Sequence, residues 1–226
     1  MKNIRRAVLA AVAIMPIAAT HAAELPALKS PDGKIAVTLT HEGAGPLMYS
    51  IVRNGEQIIV PSALRVRLAE GEISFGSDGG VITYSSNNTR KLVATKAATA
   101  RDQYNEVTVT LKPQSGTPST LLWTFRAYDD GVAFRYVVPA NAGLKTLSVR
   151  NEETEFGFAA DFGCHGFNVG RFDSSHEGEF DPVKASLIRE HGFYDLPLVC
   201  RTNQNAFAIA EANLVDYGGL YLRGRG

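Results

Sequence analysis

Apolar and polar residues take turns along much of the chain. Ile35-Ala36-Val37-Thr38-Leu39 alternates, and so does Leu64-Arg65-Val66-Arg67-Leu68, with aliphatics on one side and arginines on the other. The pattern repeats over residues 106–111, 121–128 and 132–138. A period of two carried by Val, Ile, Thr, Phe and Tyr predicts half-buried antiparallel strands. Arginines on the outer side keep it wet and discourage edge pairing. Turn residues punctuate these runs. Pro31-Asp32-Gly33 predicts a tight turn before Ile35. Asn54-Gly55 separates residues 48–53 from 56–60, the pattern of a two-residue hairpin. Asp129-Asp130-Gly131 predicts another hairpin, with Gly131 in the left-handed conformation. Many short strands with regular turns predict an all-β fold, a large antiparallel β-sandwich.

The alternation fades over residues 161–191, where Gly, His, Asp, Glu and Ser become frequent. This predicts a long irregular segment, the kind of loop that often carries function. Within it, residues 184–191 predict a turn or two of helix. Residues 206–211 and 219–222 return to strand character, the last as an open edge or as a strand cut short of its continuation.

Composition adds a boundary at the start. Lys2, Arg5 and Arg6 precede an apolar stretch, residues 7–19, and Thr20-His21-Ala22 ends it with a small residue. This is the layout of a secretory signal peptide, residues 1–22, with an apolar part too short to span a bilayer. The expected mature domain, residues 23–226, is therefore exported, periplasmic or extracellular, with no membrane partner. The full chain balances 23 Lys+Arg against 23 Asp+Glu. Without the three leader cations, 20 stand against 23, a net charge of −3. No basic patch is visible, which argues against nucleic acid as a partner.

Export makes a bond between the two cysteines, Cys164 and Cys200, chemically feasible; two buried thiols are the alternative. Their spacing does not suit zinc. The chain has no G-x-S-x-G, phosphate-binding glycine loop or H-E-x-x-H. Carboxylates are the working groups that remain. They gather in Glu152-Glu153-Thr154-Glu155 and in Asp173-Ser174-Ser175-His176-Glu177-Gly178-Glu179-Phe180-Asp181. The second group suits a hard cation such as calcium, or else is a solvated acidic loop. Glu211 follows the apolar run Ala206-Phe207-Ala208-Ile209-Ala210, so it faces solvent, finds a partner or shifts its pKa. His165 and His191 read as ordinary loop histidines.

A series of motifs carries a resemblance. Ser30-Pro31-Asp32-Gly33, Tyr49-Ser50-Ile51 with Asn54-Gly55, Pro61-Ser62-Ala63-Leu64 and Tyr104-Asn105-Glu106 occur in order. Then come Phe125-Arg126-Ala127-Tyr128-Asp129-Asp130-Gly131-Val132-Ala133-Phe134-Arg135-Tyr136, Glu153-Thr154-Glu155-Phe156 and Glu211-Ala212-Asn213-Leu214-Val215-Asp216-Tyr217. From about Ser30 to Leu222 the chain resembles the N-terminal domain of glycoside hydrolase family 97, bacterial α-glucosidases and α-galactosidases. The resemblance implies a sandwich like that of galactose mutarotase, packed on a (β/α)8 catalytic barrel. It implies α-linked glucosides or galactosides as substrates, and both catalytic carboxylates on the barrel. It also implies a calcium ion beside the active site, to which this domain lends one ligand, matched here by Glu177. Glu211 and Glu179 are the further carboxylates expected to face that site. The barrel lies outside these 226 residues, so the expectation is a domain inactive alone and incomplete at its C-terminal end. The alternatives are a free-standing carbohydrate-binding sandwich, which needs an aromatic sugar platform, or a mutarotase-like enzyme drawing on His165, His176 and Glu211.

Overall fold

The structure is a computed structural model. It describes residues 23–41, 45–69, 71–73, 81–111, 121–139, 146, 148–215 and 217–225. Residues 1–22, the expected signal peptide, lie outside the described residues. In chain order the strands are β1 (Ala23–Glu24), β2 (Leu28–Lys29), β3 (Ile35–His41), β4 (Leu47–Arg53), β5 (Glu56–Leu68), β6 (Gly71–Ile73), β7 (Val81–Leu92) and β8 (Thr99–Leu111). They continue with β9 (Leu121–Ala127), β10 (Val132–Val137), β11 (Val149–Thr154), β12 (Gly163–Asn168), β13 (Asp181–Lys184), β14 (Tyr194–Arg201) and β15 (Ala206–Ile209).

All pairings between these strands are antiparallel. The first sheet runs β1-β3-β4-β5-β11, with β2 beside β3 and β6 beside β5. The second runs β10-β9-β8-β7, and the third β13-β12-β14-β15. The first two face each other as a sandwich. Alternation decides which side chains go inward: β3 buries Ile35, Val37 and Leu39, and β9 buries Leu121, Trp123, Phe125 and Ala127. Removing such apolar area from water is the main force holding the layers together. Phe134 sits between Tyr49 and Phe125, with ring centroids 5.4 and 5.5 Å away, and joins the two sheets.

The predicted turns form as expected in two cases. Asn54 and Gly55 both take positive φ, 50° and 79°, the requirement of the tight hairpin between β4 and β5. Gly33 takes φ 74° after Asp32. Ser30 Oγ and the Lys34 amide both donate to Asp32 Oδ1, at 2.7 and 3.0 Å. The Ser30 bond first and the Lys34 amide second hold the Asp32 carboxyl down to about 2. The Asp129-Asp130-Gly131 hairpin forms too, but Gly131 is not left-handed; the positive-φ glycines among the described residues are 33, 55 and 170.

Three other expectations need correction. The segment 161–191 is not irregular throughout. It contains β12 and β13, whose alternation is disguised by Gly163 and Gly166, and the short helical turn expected over 184–191 is one 3-10 turn at Ala185–Leu187. Gly166 is needed there, because a Cβ would stand 2.8 Å from Leu198 Cδ1. Residues 219–222 are not a strand. Only Leu222 bridges, to Tyr194, and the preceding Gly218-Gly219 has no side chains to pack in a ladder. The arginines of β5 do not guard an edge. β11 pairs there, and Arg65 and Arg67 meet Glu153 at 3.8 and 3.5 Å, while Arg65 meets Glu155 at 3.0 Å.

The third sheet has its own small core of Phe162, Cys164, Leu198, Cys200 and Ile209. Phe156, Phe158 and Phe207 pack against both cores and join them. Cys164 and Cys200 face each other in the β12–β14 register and form a disulfide, which resolves the choice the sequence left open.

Candidate functional site

The candidate carboxylates occupy two places, one at the third sheet and one where the segment after β15 meets β11. The first is the loop between β12 and β13. Phe167 and Asp195 are directly opposite each other on β12 and β14, just past a register shift. The loop crosses this pair. His176 Nδ1 lies 3.0 Å from Asp195 Oδ2, and the other oxygen of Asp195 accepts from the Leu196 amide at 2.8 Å. Two residues on, Gly178 lies against the Phe167 ring so closely that a Cβ there would overlap it. Glu177 is between these two contacts. Its carboxylate is exposed and has no hydrogen-bond or ion-pair partner among the described residues. His176 itself adopts positive φ, 54°, uncommon for a non-glycine residue.

Aromatic rings adjoin the loop. Tyr221 stacks on Phe193 at 4.3 Å and approaches His176 at 6.0 Å, while Phe172 leans on both Phe193 and Tyr221. The Leu222–Tyr194 bridge, with amide–carbonyl bonds of 2.9 and 2.8 Å, holds Tyr221 there. Glu179, two residues on from Glu177, lines an open cleft of about 240 Å³ with Asp181, Asn168, Phe167 and Tyr194.

Glu211 belongs to the second place. It is not on a strand, because β15 ends at Ile209; it is exposed, with Oε2 beside Gly219. Its charge acts on Glu152 of β11. Tyr217 and Tyr136 both donate to Glu152 Oε2, at 2.8 and 3.1 Å, and their hydroxyls touch each other. Thr154 donates to Oε1 at 2.8 Å. Desolvation raises the Glu152 pKa and the Glu211 charge adds to the rise, against the Thr154 bond. Sequence reasoning grouped Glu152 with its acidic neighbours and missed that it faces the tyrosines while Glu153 and Glu155 face arginines. Strand alternation, which sends 152 to the opposite face from 153, was the available signal. Asp195 and Phe167 were missed as neighbours of Glu177; the register that opposes them has no local signature.

Among the described residues, no group of three or more His, Cys, Asp or Glu side chains converges to hold a metal ion. Glu177 by itself offers one exposed carboxylate, far short of the six to eight oxygens that calcium takes. Also among the described residues, no helix is long and apolar enough to cross a membrane. Trp123, the sole tryptophan, is buried in the sandwich and offers no sugar platform.

The family model of the glycosyl-hydrolase 97 N-terminal domain matches residues 28–226. This chain belongs to that family. The family 97 domain is 29% identical to a retaining alpha-galactosidase of Bacteroides thetaiotaomicron, over 86% of this chain and 30% of the relative. It superposes on a glycoside hydrolase family 97 enzyme of Pseudoalteromonas sp. strain K8, solved with acarbose, at a TM-score of 0.72 and 28% identity. A variant of the same enzyme with panose gives 0.73. Each comparison covers 88% of this chain and 30% of the other. A beta-arabinopyranosidase, at 24% identity and a TM-score of 0.67, shares the fold. The family 97 domain thus spans about 30% of the length of the relatives it matches.

Proposed function

We propose that this chain is the non-catalytic N-terminal domain of an exported α-glycosidase, which packs on a (β/α)8 barrel and lends Glu177 to a calcium ion shared with it. The observation that carries the reading is Glu177 itself. Within a domain of this family, a carboxylate without a partner among the described residues sits on the long loop, gripped on both sides. Calcium takes six to eight oxygen ligands. One exposed carboxylate is a fraction of such a set, so the other protein donors come from the catalytic portion. When bound, the ion would supply Lewis-acid and positioning chemistry beside the active site. This chain's part is to present one oxygen. Glu211 and Glu179 are proposed as carboxylates facing that site.

The retaining alpha-galactosidase relative and the acarbose and panose complexes support α-linked glucosides or galactosides as the substrates of the whole enzyme. Export to the periplasm or beyond is supported by the leader pattern of residues 1–22 and by the disulfide, a bond typical of oxidising compartments. The burial of Trp123 disfavours a free-standing sugar-binding module.

The test is hydrolysis of aryl α-glucosides and α-galactosides by the purified chain. The expected result is no turnover, with the catalytic carboxylates outside it. Robust turnover abolished by Glu177→Gln would overturn the proposal and make the acidic loop an active site.

A further inference from the structure

Three independent contacts meet on either side of Glu177. On one side, the His176 ring is bonded to Asp195 at 3.0 Å and stands by Tyr221. On the other, Gly178 lies on the Phe167 ring, and a Cβ there would overlap Phe167 Cε2, so the ring or the loop would have to shift. Beneath, Asp195 and Phe167 are cross-strand partners on β14 and β12, so both grips come from one rigid place in the third sheet. The sheet is anchored nearby, since Cys164 and Cys200 are covalently joined across the same two strands. Within the loop, the amides of His176 and Glu177 donate back to Ser174 Oγ and Ser175 Oγ at 3.2 and 3.4 Å. A free loop of exposed polar residues would sample many conformations, and ordering it on binding would cost backbone entropy.

We propose that Asp195 and Phe167 are positioning residues for Glu177: together they clamp the loop and fix the direction in which its carboxylate is offered. The inference rests on the reading of Glu177 as a cation donor. It goes further, by saying that the donor is held in place before any ion or partner arrives. A preorganised donor avoids that ordering cost at the moment of binding. Asp195 acts through His176 and Phe167 through Gly178; neither is expected to touch the ion.

Amide hydrogen exchange at His176 and Glu177 tests the clamp on the whole chain, with chelator present so that no metal contributes. Asp195→Ala should speed exchange about tenfold, the scale of losing one charge-assisted hydrogen bond. Asp195→Asn keeps an oxygen for the Leu196 amide and a polar atom for His176, and should restore exchange to within about twofold of wild type. Gly178→Ala should loosen the loop similarly while removing no core atom. Exchange in β8 and β9 should stay as in wild type throughout. The proposal falls if the wild-type loop already exchanges like an unstructured peptide. It also falls if Asp195→Ala and Gly178→Ala leave the loop unchanged, or if Asp195→Asn behaves like Asp195→Ala. Glu177→Gln should leave exchange unaltered. A failure of Glu177 as a calcium donor therefore registers in a metal titration and not in these rates.

Discussion

The sandwich of the first two sheets and the third sheet with its loop are built from the same kind of strand but to different densities. In the sandwich, β3, β9 and the last five residues of β8 send every second residue into one continuous core, and Val37, Val109, Phe125 and Ala127 have no solvent exposure at all. In the third sheet, five buried residues make the core, two of them joined by a disulfide, and the loop above carries Phe172 with 73% of its surface in solvent. The first region uses its side chains on each other. The second leaves them available, and Glu177, Glu179 and Glu211 are all found there or beside it. The contrast supports the proposal that the third sheet is the working side and the sandwich its support.

Truncating the sandwich should do the most damage. Trp123 is wedged among Phe134 and Tyr136, at ring distances of 6.3 and 5.2 Å, and is 1% exposed. Trp123→Ala should cost about 3–5 kcal/mol in urea unfolding, through lost burial plus an unfilled cavity. A loss below about 1 kcal/mol would mean that the first core is as loose as the second.

Removing the disulfide should act next, and more locally. It closes a separation of 36 residues, so Cys164→Ser with Cys200→Ser should cost about 2–4 kcal/mol. Hydrogen exchange should rise in β12 and β14 and change little in β8 and β9. A uniform rise would erase the distinction between the regions.

A smaller effect concerns Glu152, where the C-terminal segment meets the sandwich through Tyr217. Its folded pKa is raised above the ordinary 4.5, first by desolvation. A raised carboxylate contributes stability that is fully present below the unfolded value and lost as pH rises through the folded one. Wild type should therefore lose stability relative to Glu152→Gln as pH rises above the ordinary carboxylate value of 4.5. Equal pH profiles for the two proteins would show that the tyrosine pair compensates the buried charge.

The legibility of these regions in the sequence differs for the same physical reason. Where one face is buried and the other wet, alternation reports it, so β3, β5, β9, β10 and the Asn54-Gly55 hairpin were readable. β7 was not, because Ser85-Ser86-Asn87-Asn88-Thr89-Arg90-Lys91 is exposed or half-exposed on both faces and has no period to show. β12 was hidden by its glycines. Glu177 was reached through the resemblance, since acidic loops are common and spacing alone does not separate a donor from a solvated face. Its neighbours Asp195 and Phe167 depend on a cross-strand register, which local pattern does not encode.

Glu177 is proposed as one donor to a site completed elsewhere, and a thermal melt of this chain with calcium and with chelator tests that role. Stabilisation by a ligand grows with its concentration relative to Kd, and a single carboxylate binds calcium weakly. Nearly identical melting temperatures are expected with calcium and with chelator, for wild type and for Glu177→Ala alike. A calcium-dependent rise of several degrees in wild type that disappears in Glu177→Ala would contradict the proposed role, because the loop would then be building a complete site on its own.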